Sequence, residues 1–396
     1  MLNTQISALP DYPFDRLRHL LRGLDPPKGK KPIIMSVGEP QIKPPGFIAD
    51  ILSQHTADWG KYPPIDGSNS FRRAVADWLL ERYNLNDQDI EPDTMILPVA
   101  GTREALFLIT VLGVPRRKKG MRPAVAMPNP FYHVYGGAAA ISGAEPLLLS
   151  AGPESCFLPN IGALDRALLE RIAVYFFCSP ANPQGTAAKM SDLVQAIELA
   201  RRHDFILIVD ECYSEIYNKH PPVGALQAAK AIGEGFKNLL VFHSLSKRSS
   251  APGLRSGIVA GDPELIQSFR QLRSYVGPQT PLPILAVAEA LWKDRDHVEK
   301  IRAFYRKNFN VAESILKQKF GFYHPDGGFF LWLKVGDGEL VTKKLWSEAG
   351  VKVLPGAFIG RPNSDGINPG SSFIRVALVN SESITERAIN AIVKVI

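Results

Sequence analysis

The strongest candidate for chemistry is Lys247, the last residue of the run Ser244-Leu245-Ser246-Lys247. The run follows residues 239–243, whose apolar and β-branched character predicts a buried strand. A lysine that forms a Schiff base must be partly neutral, and shielding from water together with nearby positive charge lowers its pKa. Arg255 and the hydroxyl of Ser244 would supply a bidentate clamp and a hydrogen bond to a phosphate dianion. The run alone is weak evidence, because a surface lysine in a loop gives the same pattern.

A second candidate is Asp210, which follows the apolar residues 205–209 and precedes Tyr213 by one helical turn. An acid at the carboxyl end of a buried parallel strand lies where open α/β sheets bind ligands. If the ligand is a pyridine ring, Asp210 would keep its nitrogen protonated, which makes the ring an electron sink for carbanion chemistry. Tyr213 would then reach the ring's phenolic oxygen. The alternative is a strand-end aspartate that caps the next helix.

Two more turns follow predicted strands. Gly101 and Thr102 begin a helix after residues 95–99, where free backbone N–H groups, a hydroxyl and the helix dipole would bind phosphate, although an ordinary N-cap explains them equally well. Asn182 lies in a turn of Asn, Pro and Gly, a composition that is also common without function. Because all four elements follow predicted parallel strands, one edge of one sheet would gather lysine, acid, phenol, amide and phosphate donors.

The elements that must position these side chains alternate between short apolar runs and segments of helical periodicity. The predicted strands are 33–37, 95–99, 124–127, 174–178, 206–209, 239–243 and 257–260. Runs that are apolar on both faces and separated by helices are typical of a largely parallel sheet, so we predict an α/β fold. After Pro281 the pattern indicates a smaller α+β domain. The predicted division is an N-terminal arm and small-domain segment (1–45), a large domain (46–285) and a small domain (286–396).

Charge and composition limit the partners. The chain has 46 Lys and Arg against 39 Asp and Glu, a net charge of +7, and basicity of this kind can indicate an anionic partner. The one dense basic run, 28–31, is bordered by prolines and lacks the interleaved aromatics of a nucleic-acid platform. We interpret it as a solvated loop rather than a binding patch and expect no nucleic-acid partner.

The cysteines and the apolar runs bear on location. Cys156, Cys178 and Cys212 are odd in number and far apart, which favours reduced thiols in the cytoplasm over a disulfide framework or a metal site. The first fifteen residues carry no basic segment followed by an apolar stretch. The longest apolar run, 105–114, is far below membrane-spanning length. We therefore expect neither export nor membrane insertion.

Together these residues resemble the fold-type I enzymes that use pyridoxal 5′-phosphate (PLP), specifically the class I and II aminotransferases, over essentially the whole chain. The resemblance implies that Lys247, Asp210 and Tyr213 are catalytic, with PLP carried on Lys247. It also implies a large PLP-binding domain with a mostly parallel sheet and a smaller α+β domain. The cofactor-binding residues that it implies are Gly101, Thr102, Arg103, Tyr132 (as the ring-stacking aromatic), Asn182, Asp210, Tyr213, Ser244, Ser246, Lys247, Arg255 and Tyr62.

The same resemblance assigns residues to the substrate and to a dimer. Arg375 matches the arginine that grips the α-carboxylate of the amino acid, and Gly38 and Asn182 are implied at the same group. Tyr62 matches a tyrosine that reaches the phosphate of the neighbouring subunit's cofactor, which implies a homodimer with shared sites. Gln184 departs from the family, whose Asn-Pro-Thr-Gly turn has threonine there. We expect little effect, because Asn182 is retained.

The implied reaction is a ping-pong transamination in which glutamate donates the amino group and the freed Lys247 acts as general base and acid. The runs 37–40, 97–106, 127–132 and 243–249 look most like the succinyldiaminopimelate aminotransferases of lysine biosynthesis, whose acceptor is N-succinyl-2-amino-6-oxopimelate. The alternatives are another amino-acid aminotransferase, a PLP-dependent C–S lyase, or a PLP-sensing transcription regulator. The regulator needs a helix-turn-helix domain, and only about forty residues precede the predicted sheet.

Overall fold

The computed structural model describes residues 4–9 and 11–396. In these residues the α-helices are α1 (Pro13–Leu20), α2 (Phe47–Gln54), α3 (Asn69–Tyr83), α4 (Pro92–Met95), α5 (Thr102–Gly113), α6 (His133–Ile141), α7 (Arg166–Arg171), α8 (Met190–His203), α9 (Ala225–Ile232), α10 (Leu245–Arg248), α11 (Pro263–Arg273), α12 (Leu282–Lys293), α13 (Asp296–Leu316), α14 (Gly338–Lys344) and α15 (Glu382–Val395). The strands are β1 (Ile33–Ile34), β2 (Ile96–Val99), β3 (Ala124–Asn129), β4 (Glu145–Ser150), β5 (Ile172–Cys178), β6 (Ile206–Asp210), β7 (Leu239–Ser244), β8 (Gly257–Gly261), β9 (Phe330–Lys334), β10 (Val351–Lys352), β11 (Leu354–Pro355) and β12 (Phe373–Ala377).

A seven-stranded sheet in the order β2-β8-β7-β6-β5-β3-β4 forms the centre of the molecule. Strands β3 to β7 are parallel, and β8 runs antiparallel to both β2 and β7. All residues of β5 and β7 are buried, as expected for apolar runs that are covered on both faces. The predicted α/β fold with a mostly parallel sheet is therefore confirmed.

Alternate residues of each central strand enter different cores. On β5, Tyr175 and Phe177 pack with α3, α8 and α12, whereas Phe176 packs with α5, α6 and α11 on the other face. Successive side chains of a strand point to opposite faces, so one strand serves both cores. The sheet is thus the middle of three layers.

The C-terminal part of the chain has its own sheet and core. Strand β12 lies between β11 and β9 and is antiparallel to both. Helices α13 and α15 pack together against this region, and their buried residues share a core with β9 and β12. This second sheet matches the predicted α+β pattern.

Two strands differ from the sequence-based expectation. Residues 33–37 were expected to form a strand of the main sheet, but β1 is only two residues long and pairs with β10 in a separate sheet. Strand β4, at the edge of the main sheet, was not predicted. Its residues alternate irregularly between buried and exposed, so its sequence lacks a clear strand period.

The predicted domain division stays a prediction. The proposed boundary between residues 285 and 286 falls inside α12, whose buried face packs against α2 and α3.

None of the helices in the described residues is long and apolar enough to cross a lipid bilayer.

The carboxyl ends of β5, β6 and β7 place side chains from distant parts of the chain side by side. In the parallel register Cys178 pairs with Asp210, and Asp210 pairs with Phe242, two residues before Ser244. Immediately after β7 the chain forms the short helix α10, which carries Lys247. The three strand ends therefore form one rim of the sheet.

Arg248, the residue after Lys247, links α10 to the end of α12. Arg248 is buried and donates hydrogen bonds to the carbonyl oxygens of Leu291 (2.5 Å) and Trp292 (3.3 Å) near the end of α12. Such terminal carbonyls have no partner within the helix, so Arg248 satisfies them. The guanidinium also lies 4.0 Å from a carboxylate oxygen of Glu215. These contacts hold the backbone of α10 in place.

Candidate active site

A cavity of about 490 Å³ opens at the carboxyl rim of the main sheet. Its volume lies in the range of sites that enclose small molecules. The predicted site residues that line it are Gly38, Thr102, Arg103, Tyr132, Asn182, Asp210, Tyr213, Ser244, Ser246, Lys247, Arg255 and Arg375. Gly101 lies just behind this lining, against Arg255. Tyr62 does not line the cavity, and its side chain is fully exposed.

Lys247 is held in the cavity by backbone from the N-terminal segment. Its Nζ donates a hydrogen bond to the carbonyl oxygen of Gly38 at 2.6 Å and lies 5.4 Å from the ring centre of Phe329. Burial lowers the pKa of Lys247 to about 8, and the positive charges of Arg375 and Arg103 act in the same direction. A substantial share of the amine is therefore neutral near physiological pH.

Asp210 is buried and fixed by two donors. Its Oδ2 accepts from the hydroxyl of Tyr135 at 2.6 Å, and its Oδ1 accepts from the backbone N–H of Cys212 at 3.2 Å. Tyr135 is itself stacked on Phe176, with ring centres 4.2 Å apart. The aspartate therefore has one orientation, with its carboxylate at the cavity wall.

Tyr135 was not among the predicted site residues. It lies three residues after Tyr132 on an apolar helix, a spacing that indicates an ordinary core position. The hydroxyl on this otherwise core-like residue is the one signal in the sequence, because a buried phenol needs a hydrogen-bond partner. Two further unpredicted residues, Cys178 and Cys212, line the cavity beside Asp210.

A polar cluster behind Asp210 was also missed. Glu211 is buried and accepts hydrogen bonds from the Tyr83 hydroxyl (2.5 Å) and the Ala225 backbone N–H (2.7 Å). The Nε2 of His243 lies 3.2 Å from the same carboxylate. Because Glu211 follows Asp210 and His243 precedes Ser244, this cluster ties together the ends of the two strands that carry site residues.

The first turn of α5 supplies donors for an anion. The first N–H groups of a helix have no partners within it, and Thr102, the first residue of α5, has its hydroxyl 3.3 Å from the Sγ of Cys212. Gly101 precedes this turn with φ +82°, and a Cβ there would clash with the guanidinium of Arg255. Arg255 donates to the carbonyl oxygens of Ala100 (3.2 Å) and Pro252 (3.0 Å). Glycine thus lets the guanidinium approach the helix start.

Side chains from two other segments complete the wall. The Nε of Arg103 donates to the hydroxyl of Tyr132 at 2.9 Å, which links α5 to the start of α6. Burial raises the pKa of Tyr132, so its hydroxyl stays protonated. The Oγ of Ser244 accepts from the backbone N–H of Ser246 at 3.1 Å and caps α10.

Arg375, in the middle of β12, is a buried cation without an acidic partner. Its Nη1 donates to Oδ1 of Asn182 (3.1 Å), and its Nη2 donates to the carbonyl oxygen of Ser36 (2.9 Å). No carboxylate forms an ion pair with it in the described residues, and its buried Nε has no hydrogen-bond partner there. Burial lowers the pKa of Arg375 to about 10, which still leaves it charged at pH 7. An unpaired guanidinium in a cavity is suited to binding a carboxylate of a ligand.

Gln184, which stands where the family's Asn-Pro-Thr-Gly turn has threonine, does not line the cavity. Gln184 is buried and its Nε2 donates to the carbonyl oxygen of Ala151 at 3.4 Å. Asn182, in contrast, lines the cavity beside Arg375. The neighbouring residues of one turn therefore face different surroundings.

This donor set fits a phosphorylated aldehyde coenzyme with a basic ring nitrogen. The cavity joins a largely desolvated lysine to a fixed aspartate, and the start of α5 with Arg255 offers donors for a phosphate. Arg375 lies in the same cavity as a cation without a carboxylate partner in the described residues. The fold and the site together define a PLP-dependent enzyme of fold type I.

Comparison with known proteins identifies the family. The family model described as aminotransferase class I and II matches residues 30–392, and the chain belongs to that family. It is 30% identical to the 4-dedimethylamino-4-oxo-anhydrotetracycline transaminase OxyQ of Streptomyces rimosus, over 94% of this chain and 96% of that protein. It is 26% identical to an LL-diaminopimelate aminotransferase of Dehalococcoides mccartyi, over 98% and 97%. The protein is thus a PLP-dependent transaminase.

A solved structure shows the same architecture. The crystal structure of an aminotransferase from Neisseria meningitidis matches with a TM-score of 0.94 and 38% sequence identity, covering 99% of each chain. The fold-type I architecture predicted from the sequence is confirmed, and so is PLP as the cofactor.

We expect Gly101→Ala to weaken PLP binding by about tenfold or more, because the new Cβ would displace the Arg255 guanidinium from the start of α5. The measurement is equilibrium titration of the PLP-free protein with PLP. Gly253→Ala is the matched control, because this glycine lies in the turn Pro252–Leu254 with open space around it. Equal affinities for the two variants would contradict the assigned phosphate site.

The lowered pKa of Lys247 predicts how fast PLP is captured at different pH. Only the neutral amine attacks an aldehyde, so the rate should rise with pH through an inflection near pH 8 and level off above it. At pH 7 about a tenth of the amine is neutral, against about one part in 2,500 for an ordinary lysine. Stopped-flow absorbance after mixing PLP with PLP-free protein measures this rate. The same series with N-acetyl-lysine corrects for the titration of PLP itself, and an inflection near pH 10 would refute the assigned environment.

Proposed function

We propose that this aminotransferase moves an amino group from glutamate to N-succinyl-2-amino-6-oxopimelate, the succinyldiaminopimelate transamination of lysine biosynthesis. The main support for an amino or keto acid substrate is Arg375. It is a buried cation in the cavity and lacks a carboxylate partner within the described residues. The runs 37–40 and 243–249 support the narrower substrate, as does a relative named for LL-diaminopimelate.

PLP, when bound, supplies an electron sink that stabilises negative charge at the substrate's Cα. In the proposed reaction Arg375 and Asn182 bind the α-carboxylate and orient the Cα–H bond. Lys247, shielded from water beside Gly38, would take the proton from Cα as general base and deliver it, as general acid, to the former aldehyde carbon of the coenzyme. Tyr135 holds Asp210 in place, and Asp210 would keep the ring nitrogen of the coenzyme protonated. Tyr213 and Asn182 would hold the phenolic oxygen of the ring, and Tyr132 would hold the ring itself.

Each step uses a property of this chain. The partly neutral amine of Lys247 can act as a base near pH 8, whereas an ordinary lysine could not. Arg375 lies 4.3 Å from the ring centre of Phe330, which limits its movement when the carboxylate arrives. Preorganised charges of this kind contribute to catalysis because they need not reorganise during the reaction.

The division into an arm with a small-domain segment (1–45), a PLP-binding domain (46–285) and a small domain (286–396) is part of the proposal. It is supported by the separate core around β9 and β12. A cytoplasmic location also stays a prediction. Cys156, Cys178 and Cys212 are free thiols in the structure, which is compatible with a reducing compartment.

The substrate is tested with purified holoenzyme and 2-oxoglutarate as amino acceptor. N-succinyl-LL-diaminopimelate should give glutamate with a kcat/KM at least about tenfold above that of LL-diaminopimelate, because a fitted side-chain pocket discriminates by this order. Lys247→Ala should abolish turnover and the visible absorbance of the bound cofactor. A preference for LL-diaminopimelate would instead favour the activity named for the Dehalococcoides relative. Release of a keto acid without glutamate would indicate a lyase.

We also propose a homodimer in which Tyr62 reaches the partner's cofactor phosphate. The exposed side chains of Trp59, Tyr62 and Tyr275 support it, because solvent-exposed aromatics of this size mark interaction surfaces. Asp66 forms an ion pair with Arg270 and so ties the segment after Tyr62 to α11. The surface is therefore fixed rather than loose.

Light scattering should give about twice the chain mass of 43.6 kDa. Tyr62→Phe should keep this mass and weaken PLP binding several-fold, because one hydrogen bond to the phosphate is lost. Tyr217→Phe is a suitable control, because the Tyr217 ring packs on Arg302, away from the cavity lining. A monomer at micromolar concentration, with the site complete, would disprove the shared arrangement.

A further inference from the structure

A second cavity of about 230 Å³ adjoins the first. The two cavities share the lining residues Tyr12, Pro13, Phe131, His133 and Ile359. A ligand that is held at Arg375 and extends past these residues would therefore enter the second cavity. None of the residues assigned above to the cofactor or the α-carboxylate lines this space.

The walls of the second cavity are largely apolar, and one cation lies among them. Phe107, Val134 and Phe358 are among the apolar residues, and Arg361 is the one Lys or Arg in the lining. Methylene groups gain free energy when they leave water for such walls, whereas a charge in the same space needs an opposite charge. The cavity thus suits a ligand with an aliphatic chain that ends in an anion.

Hydrogen bonds hold the backbone of Arg361 in place, whereas its side chain has no polar partner in the described residues. Its N–H donates to Oδ1 of Asn129 (3.0 Å), and its carbonyl oxygen accepts from Nδ2 of the same residue (2.8 Å). Within the described residues its guanidinium forms neither a hydrogen bond nor an ion pair. The side chain is partly buried, and burial is the main factor that lowers its pKa.

Two charged neighbours of opposite sign act on this guanidinium. Arg16 is near enough to lower the pKa of Arg361, and it lies over the Phe358 ring at 4.1 Å from the ring centre. Asp11, which also lines the cavity, is the acid that acts in the opposite direction. His133 adds no charge, because burial and the charges of Arg103 and Arg375 lower its pKa to about 4.

We propose that the second cavity is a distal subsite that binds the far carboxylate of a long dicarboxylic substrate through Arg361. The reacting end of the substrate is held at Arg375, the methylene chain passes Phe131 and Ile359, and the second carboxylate pairs with the Arg361 guanidinium. The proposal rests on the transaminase function above and narrows its substrate class. A succinylated diaminopimelate, with a carboxylate at the end of its acyl chain, belongs to this class.

Arg361 is a suitable group for such discrimination. Guanidinium groups bind carboxylates through two parallel hydrogen bonds, which gives direction as well as attraction. Apolar walls keep water from competing, so the pair is stronger than the same pair on an open surface. A monocarboxylate of equal length would gain the apolar contacts but leave the cation unpaired.

The test compares the binding of unreactive acids to the holoenzyme by isothermal titration calorimetry. The ligands are α,ω-dicarboxylates of five to ten carbons, each paired with the monocarboxylate of the same length. We expect at least one diacid to bind about tenfold or more tightly than its monoacid. Arg361→Gln should reduce this ratio to near one, and Arg361→Lys should keep part of it because a point charge remains.

Arg18→Gln is the matched control. Arg18 lies on α1 two residues after Arg16, its side chain is 73% exposed, and it pairs with Asp15. This variant should keep the diacid preference of the wild type. A matching kinetic readout is the rate of cofactor conversion by 2-aminopimelate relative to 2-aminoheptanoate, which should fall only in the Arg361 variants.

The outcomes separate the two proposals. If no diacid exceeds its monoacid, or if Arg361→Gln leaves the ratio unchanged, the distal subsite is wrong, whatever the result for glutamate formation from N-succinyl-LL-diaminopimelate. If the ratio depends on Arg361 but neither diaminopimelate compound yields glutamate, the subsite stands and the proposed substrate is wrong.

Discussion

Two cations enclosed in one cavity, without carboxylate partners in the described residues, set the main constraint on this molecule. Lys247 and Arg375 lie close enough for the guanidinium to help lower the pKa of the amine. Keeping such charges from water is unfavourable, and hydrogen bonds to Gly38, Ser36 and Asn182, together with contacts to the rings of Phe329 and Phe330, offset part of the loss. The remaining stabilisation must come from the hydrophobic cores packed around the cavity. In the proposed function a substrate carboxylate at Arg375 and an aldehyde at Lys247 would relieve this cost, so that both binding and chemistry would draw on the same unfavourable burial of charge.

The parallel register of the central sheet converts sequence distance into proximity. Asp210 and Ser244 are 34 positions apart in the chain, but they end neighbouring strands. Glu211 and His243 then join these ends from behind through a buried hydrogen-bonding cluster with Tyr83. The rim is therefore rigid before any ligand binds, as precise proton transfer requires. The C-terminal sheet adds Arg375, from β12, to the same cavity.

The sequence predicted most of the main sheet and twelve of the residues that line the cavity, for identifiable reasons. Strands such as β5 and β7 are apolar on both faces, and parallel strand ends meet at one edge, so Asp210 and Lys247 could be placed together. Tyr135 was missed because its spacing from Tyr132 is that of a core helix face. Glu211, His243 and Tyr83 were missed because their pairing joins three distant segments. The partner of β1 and the irregular edge strand β4 depend on tertiary contacts that leave no local periodicity.

The pairing of β1 with β10 has a consequence for biosynthesis on the ribosome. In the segment that follows β1, Gly38 contacts Lys247 and Ser36 contacts Arg375, which lie 209 and 339 positions later in the chain. The nascent polypeptide can assemble all seven strands of the central sheet while translation continues, because β2 to β8 end at residue 261. The wall that holds both cations is complete only after β12 has emerged from the exit tunnel. The two cations thus come together only after all strands of the central sheet have been synthesised.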